Sequence, residues 1–293
     1  MKKVKPGNQG LIIWAIDPFQ EVSVLQTRTA EAAENWAEKA GALIEPVFVL
    51  SADQSVATVL KRTRIRGLVP TRLIVKHDAS TGDVVKSLLK YALKTKAQAI
   101  VVGTQNKSAL DRFFLGSFTE TLFHLSGIPV LAVGPGVKAV SKKGPILFPT
   151  DFSEKSEKAF EQVILVAQSY KTSLILHHCV QNPMTPLLQS GALLSAGGWM
   201  PEPDYLENEI SKAQDLAKQW VSLAKRKGVN AQVLIEAPNG DVALAILAAA
   251  KKHKAQLIAM AAQRGPFSAA LIGSTTRHVA RQMSCPVLVY RKP

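Results

Sequence analysis

The stretch PILFPTD, residues 145–151, decides the fold: it is a short apolar run that ends in an aspartate. The stretch LIIWAID, residues 11–17, has the same character 134 positions earlier. Short apolar runs of this kind are typical of strands that are buried on both faces of a parallel sheet. The two stretches therefore predict two related halves, each of which opens with a buried strand and an aspartate.

Other landmarks recur in the same order in both halves. The offset between matching residues is 158 at the first landmarks and 157 at the later ones, so the second copy has lost one residue between them. The second copy also carries an insertion after its first strand, most of it at residues 181–206. A tandem duplication is the simplest explanation. The matching segments are 82–84 with 240–242, 97–102 with 255–260, 115–117 with 272–274, and 127–131 with 284–288.

Each copy alternates short apolar strands with helical patterns. In the second copy, Ser153 is expected to cap a helix over residues 156–170, and Gly228 is expected to end a longer helix over residues 205–227. This alternation predicts an α/β fold with two tandem five-stranded parallel open sheets and helices on both faces.

The repeat also predicts the domain boundaries. The Gly- and Lys-rich stretch at residues 134–144 separates the two copies and is typical of a linker. We expect a first domain at residues 1–137, a linker at 138–144, and a second domain at 145–293 that includes the insertion.

The composition is that of a globular protein without a membrane span. Of the 293 residues, 47% are hydrophobic and 20% are charged. The apolar run at residues 11–16 is too short for an export signal or a transmembrane helix. Cys179 and Cys285 lie far apart and imply no disulfide framework. We therefore expect a soluble protein in the reducing cytoplasm.

The net charge of +14 favours anionic partners in general. The densest basic run, residues 61–66, has no interleaved aromatic residues, and the sequence has no zinc-finger spacing. The basic run is therefore interpreted as a solvated face, and nucleic acid is not the expected partner.

Residues 149–153, PTDFS, resemble the opening of a universal stress protein domain. The phosphate loop of that family has a glycine, two residues, a second glycine, nine residues, and then glycine with serine or threonine. The first copy keeps this spacing from Gly103 to Gly116 and Ser117, but Asn106 replaces the second glycine. In the second copy, Ala261 replaces the first glycine, Arg264 replaces the second, and the spacer is one residue shorter.

The resemblance implies a tandem stress-response protein of Rossmann-like, adenine nucleotide alpha hydrolase-like architecture. It implies binding of ATP, ADP or AMP, with no metal beyond nucleotide-associated Mg²⁺. The strand-end aspartate would contact the ribose or adenine, and the loop and the hydroxyl residue would hold the phosphates. The implied binding residues are Asp17, Gly103, Thr104, Asn106, Gly116 and Ser117 in the first copy, and Asp151, Gly273, Ser274 and Thr275 in the second.

These residues also have structural explanations that remain open. Asp17 and Asp151 could cap the helices that follow them, and the Gly-Ser pairs could form only a turn and a cap. Asn106 tolerates a left-handed backbone, so the first loop can keep its shape. The glycine losses in the second copy remove backbone freedom, so the first copy is the expected nucleotide site.

The resemblance further implies that the last strands, at residues 129–133 and 286–290, pair within one chain and form a pseudo-dimer, which could associate further into a homodimer. The insertion is either a surface loop packed on the sheet edge or a lid over an apolar ligand site. The second alternative would make the protein a nucleotide-independent scaffold or chaperone-like protein with a ligand or protein partner at the insertion.

The sequence contains no catalytic motif of the hydrolase or P-loop type. An enzyme would need a general base or metal ligands near Ser117, where Asp111 and Glu120 are the candidates; weak ATP hydrolysis stays open. His177 and His178 are neighbours in a strand and should point to opposite faces, which argues against a metal site.

Overall fold

The computed structural model describes most of the chain and divides it into two compact units. One unit contains the residues up to Lys142 together with those from Ala262 onward, and the other contains Lys143–Ala261. The described residues are 10–16, 24–51, 71–76, 79–104, 116–141, 143–181, 204–238, 240–262 and 273–291.

Strands and helices alternate through the described residues, except that β2 and β3 lie on either side of residues 52–70, which are outside them. The elements of the first copy are β1 (Leu11–Ala15), α1 (Val24–Ala40), β2 (Leu43–Ser51), β3 (Thr71–Val75), α2 (Thr81–Lys94), β4 (Ala97–Gly103), α3 (Ser117–Leu125) and β5 (Val130–Val133). Those of the second copy are β6 (Ile146–Pro149), α4 (Glu154–Tyr170), β7 (Leu174–Cys179), α5 (Tyr205–Arg226), β8 (Ala231–Glu236), α6 (Val242–Lys252), β9 (Leu257–Ala261), α7 (Ser274–Gln282) and β10 (Val287–Tyr290).

The sheet of the first unit has the order β3-β2-β1-β4-β5-β10. Strand β1 lies between two parallel neighbours, because Ile12 pairs with Ile44 of β2 and with Ala99 of β4. The strand order therefore reverses between β1 and β4. Right-handed crossovers then place α1 on one face and α2 and α3 on the other.

Strand β10 pairs antiparallel with β5, and Leu288 lies opposite Leu131. This confirms the predicted pairing of the last strands within one chain. The last helix and strand of the second copy, α7 and β10, accordingly belong to the first unit.

The second unit repeats the same strand order as β9-β6-β7-β8, all parallel. Ile146 of β6 pairs with Leu174 of β7 and with Leu257 of β9, so β6 holds the position that β1 holds in the first copy. The expected α/β class, with one parallel strand order used twice, is confirmed.

The helix ends follow local sequence signals. Ser153 caps α4 as predicted, and its Oγ accepts a hydrogen bond from the Ser156 N–H at 3.3 Å. The helix begins at Glu154, two residues earlier than predicted, because a helix starts directly after its N-cap. Gly228 lies just past α5 with φ +76, a left-handed backbone that glycine adopts without strain.

None of the helices in the described ranges is both long enough and apolar enough to cross a membrane.

Candidate functional site

The carboxyl ends of β1 and β4 define the candidate site of the first copy. Ala15 pairs with Val102, so both strands end at the same edge, next to the point where the strand order reverses. Open α/β sheets bind ligands in the crevice at such a point. Asp17 and Asn106, which the resemblance implies as nucleotide-binding residues, lie outside the described residues.

Gly103, the last residue of β4, lies close to α1. A Cβ atom at this position would be 3.0 Å from Thr29 Oγ1 and 3.5 Å from Leu25 Cγ. The Thr29 hydroxyl is held in place, since it donates a hydrogen bond to the Leu25 carbonyl at 2.7 Å. Gly103 is not among the described glycines that have a positive φ. The requirement for glycine at this position therefore comes from close packing and not from backbone conformation.

Thr104 is buried, and its N–H donates to the Val133 carbonyl at 2.8 Å. This backbone donor is therefore used to extend the β4–β5 ladder. The matching residue of the second copy does the same, because the Ala262 N–H donates to the Tyr290 carbonyl at 2.7 Å. Any backbone N–H of this loop that binds a phosphate would therefore lie after residue 104.

Helix α3 begins at Ser117 with Gly116 as its N-cap, at φ −60 and ψ 143. Glycine has no side chain to accept from the first-turn N–H groups, so these donors carry no side-chain cap. Together with the helix dipole they favour an anion. Gly273 caps α7 in the same way ahead of Ser274 and Thr275, and a Cβ there would meet open space.

Asp151 is part of a hydrogen-bonded turn ahead of α4. Its Oδ1 accepts from the Ser153 N–H at 3.0 Å and from the Ser156 hydroxyl at 2.6 Å. The structural alternative, in which this aspartate organises the start of the helix, is therefore realised in the second copy, although Ser153 and not Asp151 is the N-cap. Asp151 lies in the second unit, whereas Gly273, Ser274 and Thr275 lie in the first.

The residue after Asp151 has an unusual backbone. Phe152 has φ +55, which is costly for a bulky side chain, and its N–H donates to Thr150 Oγ1 at 2.9 Å. Its ring is buried edge-on against Trp220 at 5.2 Å and also contacts His178 at 5.2 Å. Buried aromatic contacts hold this strained residue in place.

A larger aromatic cluster surrounds Trp220 of α5. The Trp220 ring stacks on Phe160 at 4.8 Å and on Phe148 at 6.3 Å, and the two phenylalanines stack on each other at 5.6 Å. The cluster joins β6, α4 and α5, so it fixes the long helix on the strand that precedes Asp151.

The two histidines of β7 point to opposite faces, as predicted. His178 Nδ1 donates to the Thr150 carbonyl at 2.8 Å, whereas His177 Nε2 lies 2.9 Å from Glu236 Oε2. Burial lowers the pKa of His177, against the opposing effect of the Glu236 carboxylate. His177 is therefore neutral at pH 7, with Nε2–H donating to Glu236 and a buried Nδ1 that has no hydrogen-bond partner among the described residues.

Cys179 Sγ lies 3.8 Å from His177 Nε2. Burial, with a smaller effect of Glu236, raises the pKa of the Cys179 thiol to about 11, so the thiol stays protonated at neutral pH and is a poor nucleophile. No group of three or more His, Cys, Asp or Glu residues within the described ranges is arranged to hold a metal ion.

Of the two catalytic candidates near Ser117, Asp111 lies outside the described residues. Glu120 contacts two arginines of α7, with Arg277 Nε at 3.2 Å and Arg281 Nη2 at 3.3 Å. Its carboxylate is therefore engaged in ion pairs. The repeat places Arg277 at the position equivalent to Glu120, 157 residues later, but the sequence alone does not show that the two residues meet.

Other predicted features also fall outside the described residues. The basic run at residues 61–66 and nearly all of the insertion, residues 182–203, are among them. The contact of Thr29 with Gly103 had no signal in the sequence, since it depends on how closely α1 approaches β4.

Comparison with known proteins gives a match in each copy. A model of the universal stress protein family matches residues 15–134 and again residues 144–291. A universal stress protein of Mycolicibacterium smegmatis is 28% identical over 221 residues, which are 75% of this chain and 69% of that protein. One from Methanocaldococcus jannaschii is 29% identical over 149 residues, which are 50% of this chain and 82% of that protein.

Solved structures resemble the chain over nearly its whole length. A universal stress protein from Archaeoglobus fulgidus has a TM-score of 0.65 at 20% identity and covers 97% of this chain and 98% of its own. A functionally unknown protein from Pseudomonas aeruginosa has a TM-score of 0.64 at 16% identity and covers 96% of this chain and 92% of its own. At these identities the likeness shows the fold.

Proposed function

The chain belongs to the universal stress protein family, and from that premise we propose that it is a stress-response binding protein whose first copy holds an adenine nucleotide. ATP, ADP and AMP share the adenosine and the phosphate that such a site would recognise. The proposed site is the crevice at the carboxyl ends of β1 and β4, with the phosphates at the start of α3.

The observation that carries the proposal is the N-terminus of α3. Gly116 supplies no side-chain cap, and Ser117 is exposed beside the first-turn N–H groups. Glu120, the acidic residue of this turn, would repel a phosphate, but Arg277 and Arg281 offset its charge. The turn is therefore suited to a phosphate.

The turn after the first strand of the second copy is occupied by its own contacts. Residues 150–153 alone separate β6 from α4, and this turn is closed by the hydrogen bonds of Asp151 and by buried Phe152. Asp151 is therefore engaged within its own copy, which favours the first copy, with Asp17 at the equivalent position, as the proposed site.

Each group has a defined role in the proposed complex. The α3 amides and the Ser117 hydroxyl would donate to phosphate oxygens, and Asp17 would accept from the ribose or the adenine. Mg²⁺ would arrive with the nucleotide. Glu120 is held by arginines, so it supplies no base, and the proposal is binding without a hydrolytic step.

The test introduces a carboxylate side chain at the position where the phosphate is proposed to bind. Ser117→Glu places a negative charge at the start of α3, where it favours the helix but repels phosphate. Ser274→Glu makes the same change at the start of α7 and is the matched control. Titration calorimetry with ATP, ADP and AMP in the presence of Mg²⁺ is expected to show binding to the wild type, a loss of at least about tenfold in Ser117→Glu, and little change in Ser274→Glu.

Thermal unfolding of both variants separates binding from folding, because neither substitution should lower the stability of its helix. Asp17→Ala, which adds no charge, should also weaken binding. No measurable binding to the wild type would contradict the proposal, and selective loss in Ser274→Glu would move the site to the second copy.

A further inference from the structure

The pairing of β5 with β10 has an internal twofold symmetry. Leu131 lies opposite Leu288, and these two residues hold the same position in the two copies, 157 residues apart. Their neighbours pair reciprocally, Val130 with Val289 and Ala132 with Val287. A local twofold axis therefore passes between the two leucines, and the contact has the isologous form of a symmetric dimer within one chain.

Equivalent helices also meet beside this axis. Helices α3 and α7 each have nine residues and a glycine N-cap, and Glu120 and Arg277 are each the fourth residue. These two equivalent residues contact one another, with Arg277 Nε 3.2 Å from Glu120 Oε1. About a third of each side chain is exposed, so water screens the pair only in part.

An isologous contact brings each position against its own equivalent. If two first copies paired in this way, Glu120 would face a second Glu120. If two second copies paired, Arg277 would face a second Arg277. Like charges at this distance repel, whereas the unlike pair in the chain attracts.

The strands themselves do not distinguish these arrangements. Strand β5 reads VLAV, strand β10 reads VLVY, and both strands are buried. Apolar burial is nondirectional, so either strand could pair with a second copy of itself at similar gain. A selective contact must therefore come from groups outside the strands, and the charges of α3 and α7 are placed to supply it.

We propose that the Glu120–Arg277 contact selects the pairing of the two unlike copies and disfavours the pairing of like copies. The duplicated chain has acquired opposite charges at one symmetric position, so the closed arrangement within the chain is favoured over exchange between chains. Arg281, 3.3 Å from Glu120, reinforces the choice, since its equivalent in the first copy is His124.

Substitutions in the full-length chain can produce each of the two like-charged pairs. Arg277→Glu creates the pair that two first copies would present, and Glu120→Arg creates the pair that two second copies would present. The double variant E120R/R277E restores opposite charges with their positions exchanged. Arg277→Gln removes the attraction without adding repulsion.

The readout is amide hydrogen exchange in β5 and β10, with urea unfolding alongside it. We expect exchange in both strands to rise in the order wild type, Arg277→Gln, Arg277→Glu, by about fivefold or more in the last. The double variant should exchange more slowly than the product of the two single effects predicts. A higher salt concentration should reduce the differences in exchange rate between the variants.

Lys218→Glu is the matched control, because Lys218 forms an exposed ion pair with Asp215 at 2.8 Å on another helix. It should leave exchange in β5 and β10 unchanged. The proposal is overturned if Arg277→Glu behaves like this control, or if the double variant shows no coupling. Neither result depends on nucleotide, so a failure here is distinct from a failure of the proposed binding site.

Discussion

The two copies carry different chemistry at equivalent positions of their second and third strands. In the second copy, His177 and Cys179 of β7 lie beside Glu236 of β8. The register places Val47, Val49 and Leu73 at these positions in the first copy. His177 and Val47 are equally buried, so the fold accepts an aliphatic trio where the second copy has a polar one. The polar trio is therefore a property of the second copy and not a requirement of the fold.

A second contrast lies beside the candidate site. Helices α1 and α4 end at equivalent residues, Ala40 and Tyr170, and this alignment pairs Thr29 with Ala159. Gly103 lies against Thr29 in the first copy, and the equivalent position in the second copy is Ala261. Where the helix residue is larger the strand residue is smaller, which conserves the volume of the pair. Side-chain packing therefore explains why the second copy has alanine and not glycine at this position.

The largest expected effect concerns the aromatic cluster of the second copy. Ala30 holds the position of Phe160 in the first copy, so the ring on which Trp220 stacks has no counterpart at that position. Trp220→Ala should lower the free energy of unfolding by about 3–5 kcal/mol, measured by urea denaturation, because it leaves a cavity among buried rings. Hydrogen exchange should rise in β6 and β7. Trp36→Ala, in the first copy, is the matched control and should raise exchange in β1 and β2 instead.

An intermediate effect is expected at the contact of Gly103 with Thr29. Gly103→Ala should destabilise the protein by about 1–2 kcal/mol, since the added methyl group is crowded against the Thr29 hydroxyl. In a Thr29→Ala background, which copies the second half, the same substitution should become neutral or stabilising because alanine loses less backbone freedom on folding. Urea unfolding of the four proteins measures this. A loss of equal size in both backgrounds would contradict the packing explanation.

The smallest expected effect is a dependence of stability on pH. Burial lowers the pKa of His177 in the folded state, so between that value and 6.5 the unfolded chain binds more protons. This component of stability is complete above the ordinary histidine pKa and falls as pH decreases, by at most about 1.4 kcal/mol per pH unit. The double variant H177V/E236L carries the residues of the first copy and should lose this component.

The comparison for that experiment is His178→Phe, which also copies the first half, at Phe48, but keeps His177. Stability followed by urea unfolding between about pH 5 and 8 should retain the acid-dependent decrease in His178→Phe. An unchanged decrease in H177V/E236L would assign it to other groups.

Local sequence patterns predicted the secondary structure well, because helix caps and strand ends depend on residues that are close together in the chain. Ser153 was correctly assigned as a cap, and the α/β class with its two related copies followed from the repeat. Matching residues nevertheless differ in detail. Asp241 is itself the N-cap of α6, whereas Asp83 is the third residue of α2 and forms a capping box with Ser80.

The candidate site was less predictable, because its details depend on distances between elements far apart in the sequence. The role of Gly103 is set by the approach of α1, and the engagement of Glu120 is set by a helix more than 150 residues later. The pattern of the repeat identifies equivalent positions, but it does not show which of them meet at the axis. That information comes from the register of β5 and β10.

The place of β10 beside β5 has a consequence for synthesis on the ribosome. Strand β5 ends at Val133, and its antiparallel neighbour begins only at Val287, so more than 150 residues must be translated before the pair can form. At a translation rate of about 5–20 residues per second, the edge of β5 that later pairs with β10 stays unpaired for roughly 8–30 s. During that interval the nascent first copy can associate with the same segment of a neighbouring chain on the same messenger. A charge on α3 that repels its own kind would protect the chain while its second half is still being made.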